Sequence, residues 1–68
     1  MRVVHVRVSR PDFPKTLGDM REWLDANDCR PLRFETQGDG ISITIKVQFE
    51  GDDLAERFRQ AFRGSYGD

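Results

Sequence analysis

The sequence predicts an α+β fold in two layers, in which a three-stranded antiparallel sheet carries two helices on one face. Three observations lead to this fold class. Residues 40–49 alternate between apolar and polar side chains, which is typical of a strand with one buried face. The spacing of apolar residues becomes helical after Pro14 and again after Asp53. Asp39-Gly40 stands between two strand-like segments, where it favours a tight hairpin turn with positive φ angles.

The first strand spans about residues 2–9, and the first helix spans about residues 14–27. Valines alternate with polar residues in the strand, which predicts one buried face. The segment RPDFP, residues 10–14, then ends the strand, because two prolines cannot continue a ladder. Asn27 suits the end of the helix, since Asn tolerates the left-handed conformation. The helical stripe consists of Phe13, Leu17, Met20 and Leu24, with Trp23 beside it.

The second strand spans about residues 30–37, and the third spans about residues 40–50. In the second strand, Leu32, Phe34 and Thr36 are expected to face the core. In the third strand, polar residues at even positions face the opposite way from the apolar ones. The residues of the third strand expected in the core are Ile41, Ile43, Ile45, Val47 and Phe49.

The second helix spans about residues 53–63, and residues 64–68 are expected to form a frayed tail. Asp53 and Glu56 have the spacing of a capping box, and Gly64 suits the C-terminal cap. The order of elements is therefore β-α-β-β-α. The apolar stripe of this helix consists of Leu54, Phe58, Ala61 and Phe62.

The rules of chain topology favour one assembly of these elements. A right-handed crossover makes the first two strands parallel, and the hairpin makes the third antiparallel to the second. The third strand has the most inward apolar residues, so we place it between the others, in the sheet order 1-3-2. Both helices then cover the apolar face, and the other face is bare. We expect a single domain, residues 1–68.

Composition and charge limit the class of protein. The chain has 68 residues, with 37% hydrophobic and 34% charged residues, which suits one ordered domain. Its net charge of −1 gives no general attraction to nucleic acid or acidic lipid. The single cysteine excludes an internal disulfide. No segment has the apolar run of a signal peptide or a membrane span, so we expect a soluble cytoplasmic protein with no membrane partner.

The bare face of the sheet is the first candidate for an interaction surface. It is polar and slightly basic, and Arg2 and Arg10 are expected to extend the basic patch around the first strand. Three interpretations stay open: a solvated face, a surface for a protein partner or a second copy, and a nucleic-acid surface. The lack of stacking aromatic residues disfavours nucleic acid. The candidate residues on this face are His5, Arg7, Arg33, Thr44 and Lys46.

The helices supply two further candidates. Residues 12–28 carry five acids and two bases, whereas the second helix ends in three arginines. Either these charges pair across the seam between the helices or are simply solvated, or the first helix presents an acidic patch to a basic partner. Trp23 either belongs to the core or anchors an interface, as tryptophan often does.

Few residues are available for catalysis or metal binding. His5 and Cys29 are the only residues of their kinds, and in the order 1-3-2 a strand separates them by roughly 9.5 Å, too far for a hydrogen bond. No spacing matches a metal site. The turns QGDG and EGDD lack the lysine of a phosphate-binding loop, and the aspartates of EGDD repel anions. We therefore expect no enzymatic activity, no metal and no cofactor.

The stretch DFPKTLGDMREWLDANDCRPLRFE, residues 12–35, resembles a group of small uncharacterised bacterial proteins. The resemblance implies a cytoplasmic bacterial protein and carries over no site residue. The element order is also similar to half of a ferredoxin-like domain, which assigns no function. The favoured hypothesis is a non-enzymatic protein-interaction module. The alternative is a weak nucleic-acid binder that uses the basic sheet face, and a third hypothesis is an enzyme that depends on Cys29 or His5.

Overall fold

The computed structural model describes residues 2–67, and this part of the chain has the predicted α+β class. A single 3-10 turn, Arg10–Asp12, lies between the first strand and the first helix, where the prolines were predicted to end the strand. Neither helix within residues 2–67 combines the length and the apolar character needed to cross a membrane. The elements are β1 Arg2–Ser9, α1 Phe13–Ala26, β2 Arg33–Gly38, β3 Ser42–Phe49, α2 Asp52–Phe62 and β4 Ser65–Tyr66.

The strands form one antiparallel sheet in the order β2-β3-β1-β4. The predicted position of β3 between β1 and β2 is confirmed, and Lys46 of β3 has His5 on one side and Glu35 on the other. The predicted number of strands is wrong. β4 adds a fourth strand on the free side of β1, where Tyr66 is opposite Val4.

The core lies between the helices and the inner face of the sheet. Val4 is opposite Val47 and Val6 is opposite Ile45, and all four side chains are buried. Removing this apolar surface from water is the main force that holds the layers together. Ala61, which the sequence placed on the buried stripe of α2, is exposed. The helices bury Met20, Leu24, Ala55 and Phe58 against the sheet.

The helices pack mainly on β1 and β3 and leave the inner face of β2 largely uncovered. Leu32 and Ile41 were predicted in the core, yet they are 52% and 78% exposed. Thr36 is also exposed, and Phe34 is half-buried. The cause is the placement of the helices, because α1 lies against β1, the strand that it follows, and α2 packs more closely on β1 than on β3, the strand that it follows. No helix starts from β2, which continues into a hairpin.

The strands next to the hairpin are shorter than predicted. β2 begins at Arg33, because Pro31 has no N–H to donate and the Cys29 N–H bonds to the Leu24 carbonyl. β3 begins at Ser42, because residues 39–41 form the turn. No residue of this turn has a positive φ, so the predicted hairpin geometry is wrong.

Each helix is followed by a residue in the left-handed conformation, although not the residue that the sequence suggested. After α1, Asn27 has a φ of −99° and Asp28 has a φ of 50°. After α2, Arg63 has a φ of 54°, whereas Gly64 does not have a positive φ. Gly64 is therefore needed for a different reason, which is its closeness to β1.

The predicted capping box at the start of α2 does not form. Gly51 occupies the N-cap position, and the Glu56 carboxylate bonds toward the end of its helix instead of toward the start. It accepts hydrogen bonds from Arg59 at 2.6 and 2.9 Å and from Gln60 at 2.7 Å. Hydrogen bonds from Arg59, Tyr66 and Gln60, in that order of effect, hold the pKa of Glu56 well below its usual range.

The predicted frayed tail is wrong for residues 65–66, which form β4, and residue 68 lies outside the described part of the chain. The Tyr66 hydroxyl donates a hydrogen bond to Glu56 of α2. The Arg2 guanidinium lies 3.6 Å from the centroid of the Tyr66 ring, a distance suited to a cation–π interaction. Residues 65–67 are thus held to both β1 and α2.

A substitution at Gly64 tests the close contact between this residue and β1. A Cβ at this position would lie 2.8 Å from Val4 Cγ1 and 2.9 Å from the His5 carbonyl oxygen. Because the carbonyl belongs to a paired strand, we expect Gly64→Ala to lower the free energy of unfolding by about 1–3 kcal/mol. Urea denaturation measures the change.

Gly18→Ala is the matched control for this substitution. Gly18 lies within α1, and a Cβ there would meet no atom within 4 Å. Alanine is favoured over glycine inside a helix, so we expect a gain of about 1 kcal/mol. Equal midpoints for Gly64→Ala and the wild type would contradict the close packing at residue 64.

Candidate functional site

The outer face of the sheet collects polar side chains from β1, β2 and β3 into rows. The register places Val3, Gln48 and Arg33 in one row, then His5, Lys46 and Glu35, then Arg7, Thr44 and Gln37. Side chains in one row of a sheet are neighbours, because strands lie about 4.8 Å apart. The helices lie on the opposite face, so the rows are open to a partner.

A shallow cleft of about 160 Å³ lies in the first two rows. Arg33 Nη1 lies 3.5 Å from Glu35 Oε1 along β2, and both side chains are more than half exposed. The Lys46 ammonium donates a 3.0 Å hydrogen bond to Gln37 Oε1 in the next row. The cleft is lined by Val3, Arg33, Glu35, Lys46 and Gln48.

The far end of the outer face is built on the turn between β2 and β3. The Asp39 carboxylate accepts hydrogen bonds from the backbone N–H groups of Ile41 and Ser42, at 2.9 and 2.7 Å. These bonds, followed by the Ser42 hydroxyl and the Arg7 charge, hold the pKa of Asp39 below its usual range. Asp39 therefore stays ionised and fixes the turn.

Arg7 connects this turn to β1. Its Nε donates a 2.9 Å hydrogen bond to the Ser42 hydroxyl, and its Nη2 lies 3.5 Å from the Asp39 carboxylate. Ser42 is buried although it lies on the outer face, because Arg7 and Asp39 cover it. The Arg7 guanidinium is thus fixed in position and remains 66% exposed.

His5 lies at the side of the outer face nearest to β4. Ser65 is opposite His5 in the β1–β4 pair, and the Gly67 N–H donates to the Val3 carbonyl. The imidazole ring lies directly against Gly67, where a side chain would overlap it. His5 is consequently half-buried, whereas Arg7 and Arg33 are exposed.

The structure brings five of the six predicted site residues onto this face, namely His5, Arg7, Arg33, Thr44 and Lys46. Trp23 is elsewhere. Its ring packs edge-on against Phe58, with the centroids 5.3 Å apart. Trp23 therefore fills the seam between the helices, where the sequence allowed ion pairs.

The predicted extension of the basic patch by Arg2 and Arg10 is wrong. Arg2 is on the helix side of the sheet, where it covers Tyr66. Arg10 donates a hydrogen bond to the Asp39 carbonyl and supports the turn. Arg59, one of the three arginines for which the sequence left pairing across the helix seam open, binds Glu56 of its own helix. The cations of the outer face are Arg7, Arg33 and Lys46.

Sequence reasoning missed the part that Asp39 plays at this face. The available signal was the spacing of Asp39 and Ser42, because an aspartate often accepts hydrogen bonds from backbone N–H groups two or three residues later. The cover that β4 and Gly67 give to His5 was also missed. A two-residue strand has too few positions to produce a recognisable alternation.

Cys29 and His5 are not brought together, since β3 lies between the strands β1 and β2. Cys29 is at the junction of α1 and β2 and packs against the core. Burial, and next the charge of Asp28, raise the pKa of the Cys29 thiol, which lowers the fraction of reactive thiolate. Within residues 2–67, no group of three or more histidine, cysteine or acidic side chains is arranged to hold a metal ion.

Comparison with known proteins leaves the function to be argued from this geometry. No protein-family model matches the chain, and no curated protein and no solved structure matches it. The resemblance of residues 12–35 to small bacterial proteins gains no support from these comparisons. A bacterial origin and a cytoplasmic location stay predictions.

Asp39 makes the stability of the turn depend on pH. The pKa of Asp39 is lower in the folded chain than the value of about 3.9 in an unfolded chain. The contribution of Asp39 to the free energy of unfolding is therefore present above about pH 4 and is lost as the pH falls through the pKa of the folded chain. We expect Asp39→Asn to unfold more easily than the wild type at pH 7. The difference between them should shrink toward pH 2. Urea denaturation across this range measures it.

Asp19→Asn, at an exposed position of α1, is the control for the change of residue type. It keeps the turn between β2 and β3 intact. If the difference between wild type and Asp39→Asn were constant from pH 7 to pH 2, the charge of Asp39 would have no part in holding the turn.

Proposed function

We propose that the protein is a non-enzymatic protein-interaction module whose binding surface is the outer face of the sheet. One observation carries the proposal. The face is left open by both helices, and its cleft sets two cations and one carboxylate around an apolar patch. Such a surface suits a protein partner, because protein interfaces combine apolar contact with a few placed charges.

The side chains of the cleft indicate the kind of contact that a partner would make. Val3 and the aliphatic stem of Lys46 offer apolar area, while the Lys46 ammonium and the Arg33 guanidinium offer hydrogen-bond donors. A partner carboxylate placed between these two cations would displace contacts that are exposed and weak, at Glu35 and Gln37. We therefore expect the partner to present an acidic side chain next to an apolar one.

A weak nucleic-acid binder is the second candidate, favoured by the presence of Arg7, Arg33 and Lys46 on one face. Two facts weigh against it. Arg2 and Arg10 do not extend this cationic surface, and Glu35 and Asp39 lie within it. Affinity that falls steeply with salt would be the signature of this alternative.

An enzymatic function has the weakest support. It would need a nucleophile and a base within hydrogen-bond reach, whereas His5 lies on the outer face of β1 and Cys29 packs against the core at the junction of α1 and β2. The raised pKa of Cys29 also disfavours a nucleophilic thiolate.

We place the interaction module in the cytoplasm, as the sequence indicates.

Lys46→Glu tests the outer face directly. A partner isolated from native lysate should shift the backbone amide signals of β1 and β3 at outer-face positions, and Lys46→Glu should weaken its binding roughly tenfold or more, because a central cation becomes a repelling anion. Titration followed by NMR measures both effects. Lys15→Glu is the matched control, since it makes the same charge change on α1 in the other layer.

Two results would contradict this function. One is a partner whose amide shifts map to α1 or α2 and whose affinity is equal for Lys46→Glu and Lys15→Glu. The other is outer-face shifts produced by RNA or DNA at low salt that compete with the protein partner, which would favour the nucleic-acid alternative. A protein captured from lysate without such mapping would not support the outer face.

A further inference from the structure

We propose that β2 is the edge along which two copies of this chain pair, so that their sheets join into one antiparallel sheet across a two-fold axis. Within residues 2–67, β2 pairs with β3 alone, and it has six residues. The opposite edge of the sheet is β4, which has two. An edge strand presents unpaired backbone N–H and carbonyl groups that another strand can complete.

The inner side of β2 also carries apolar surface that the elements within residues 2–67 cover only in part. Leu32, immediately before the strand, is 52% exposed. Phe34, within the strand, is half-buried. Covering these two side chains with a second copy would remove apolar surface from water, which favours pairing.

Symmetry restricts how β2 can pair with itself. In a two-fold antiparallel pair, residues opposite each other lie on the same face of the sheet. Odd-numbered residues of β2 are on the outer face and even-numbered ones on the inner face. The axis must therefore pass between two copies of one residue, and the possible registers are those centred on each residue of β2.

The charges of β2 select one of these registers. Centring the pair on Arg33 or on Glu35 places two like charges directly opposite, which is destabilising. Centring it on Phe34 places Arg33 of each copy opposite Glu35 of the other, and it sets the two Phe34 rings side by side on the inner face. Registers centred on Thr36, Gln37 or Gly38 lose both of these matches.

The selected register fits the geometry of the single chain. Arg33 and Glu35 already lie 3.5 Å apart within β2, and their side chains are 69% and 54% exposed. A second copy would extend this contact into a ring of four alternating charges. Leu32 would be opposite Thr36 of the other copy, and the paired stretch would end before Pro31, which has no N–H to donate.

Charge reversal tests the register. Sedimentation of the wild-type chain at low ionic strength should show a species of twice the 7.9 kDa chain mass that dissociates on dilution. Arg33→Glu alone, and Glu35→Arg alone, should each raise the dimer Kd roughly 30-fold, because two attractive pairs become repulsive (about 2 kcal/mol at 1.4 kcal/mol per tenfold).

Two combinations identify the pairing of these residues. An equimolar mixture of Arg33→Glu and Glu35→Arg should form a mixed dimer, since each copy then supplies the charge that the other needs. The double variant Arg33→Glu/Glu35→Arg, which exchanges the two charges within one chain, should dimerise as the wild type does. Both results depend on Arg33 being opposite Glu35 of the second copy.

Arg57→Glu is the control, because Arg57 is exposed on α2 and lies away from the edge. This substitution should not change the dimer Kd. Hydrogen exchange of the wild-type β2 amides needs no substitution, and their protection should rise with protein concentration.

Several results would overturn the inference. One is a wild-type chain that stays monomeric at millimolar concentration. Another is a double variant that remains monomeric although its amide spectrum is that of a folded chain. A third is hydrogen-exchange protection of β2 that does not depend on protein concentration. The inference goes beyond the proposed function. A monomer whose partner maps to the outer face would refute the dimer and leave the proposed function standing. A dimer without any outer-face partner would support the dimer and contradict the proposed function.

Discussion

The connections from strand to helix determine most of what this chain exposes. α1 follows β1 through one 3-10 turn and lies against it, whereas α2 begins three residues after β3 ends and packs mainly on the neighbouring strand β1. The helices consequently cover β1 and β3, whose valines and isoleucines form the buried centre. β2 belongs to the sheet without belonging fully to the core. The open outer face and the uncovered inner side of β2 both follow from this placement.

The two edges of the sheet differ in how far other side chains cover them. On the β1 side, β4 is short, and Tyr66 is held by Arg2 and by the Glu56 carboxylate. Hydrogen bonds in this cluster lower the pKa of Glu56 and raise that of Tyr66, so Glu56 is ionised and Tyr66 is protonated at neutral pH. On the other side, no element within residues 2–67 covers β2 in a comparable way. Chains that remain monomeric usually protect such an edge.

The sequence was sufficient for the features that depend on long, regular patterns. The alternation of β3 predicted its central position, and Ile45, Val47 and Phe49 are buried as expected. Ile41 belongs to the same alternating pattern, yet it is exposed. The pattern shows which side chains are apolar, but it does not show which of them a helix will cover. For the same reason the pattern placed five of six site residues on the outer face but did not reveal that β4 would crowd His5. β4 itself has only two residues, too few for any period.

The charges of the outer face limit how it can recognise a partner. Arg7 is next to Asp39, Arg33 is next to Glu35, and the Lys46 ammonium bonds to a neutral amide. Because opposite charges lie within a few ångströms of each other, their fields largely cancel beyond the Debye length of about 8 Å. Long-range attraction therefore contributes little to encounter, in agreement with a net charge of −1. Specificity must therefore come from contacts at short range. A partner has to place its own acceptor groups where the carboxylates and the amide of this chain now contact the three cations.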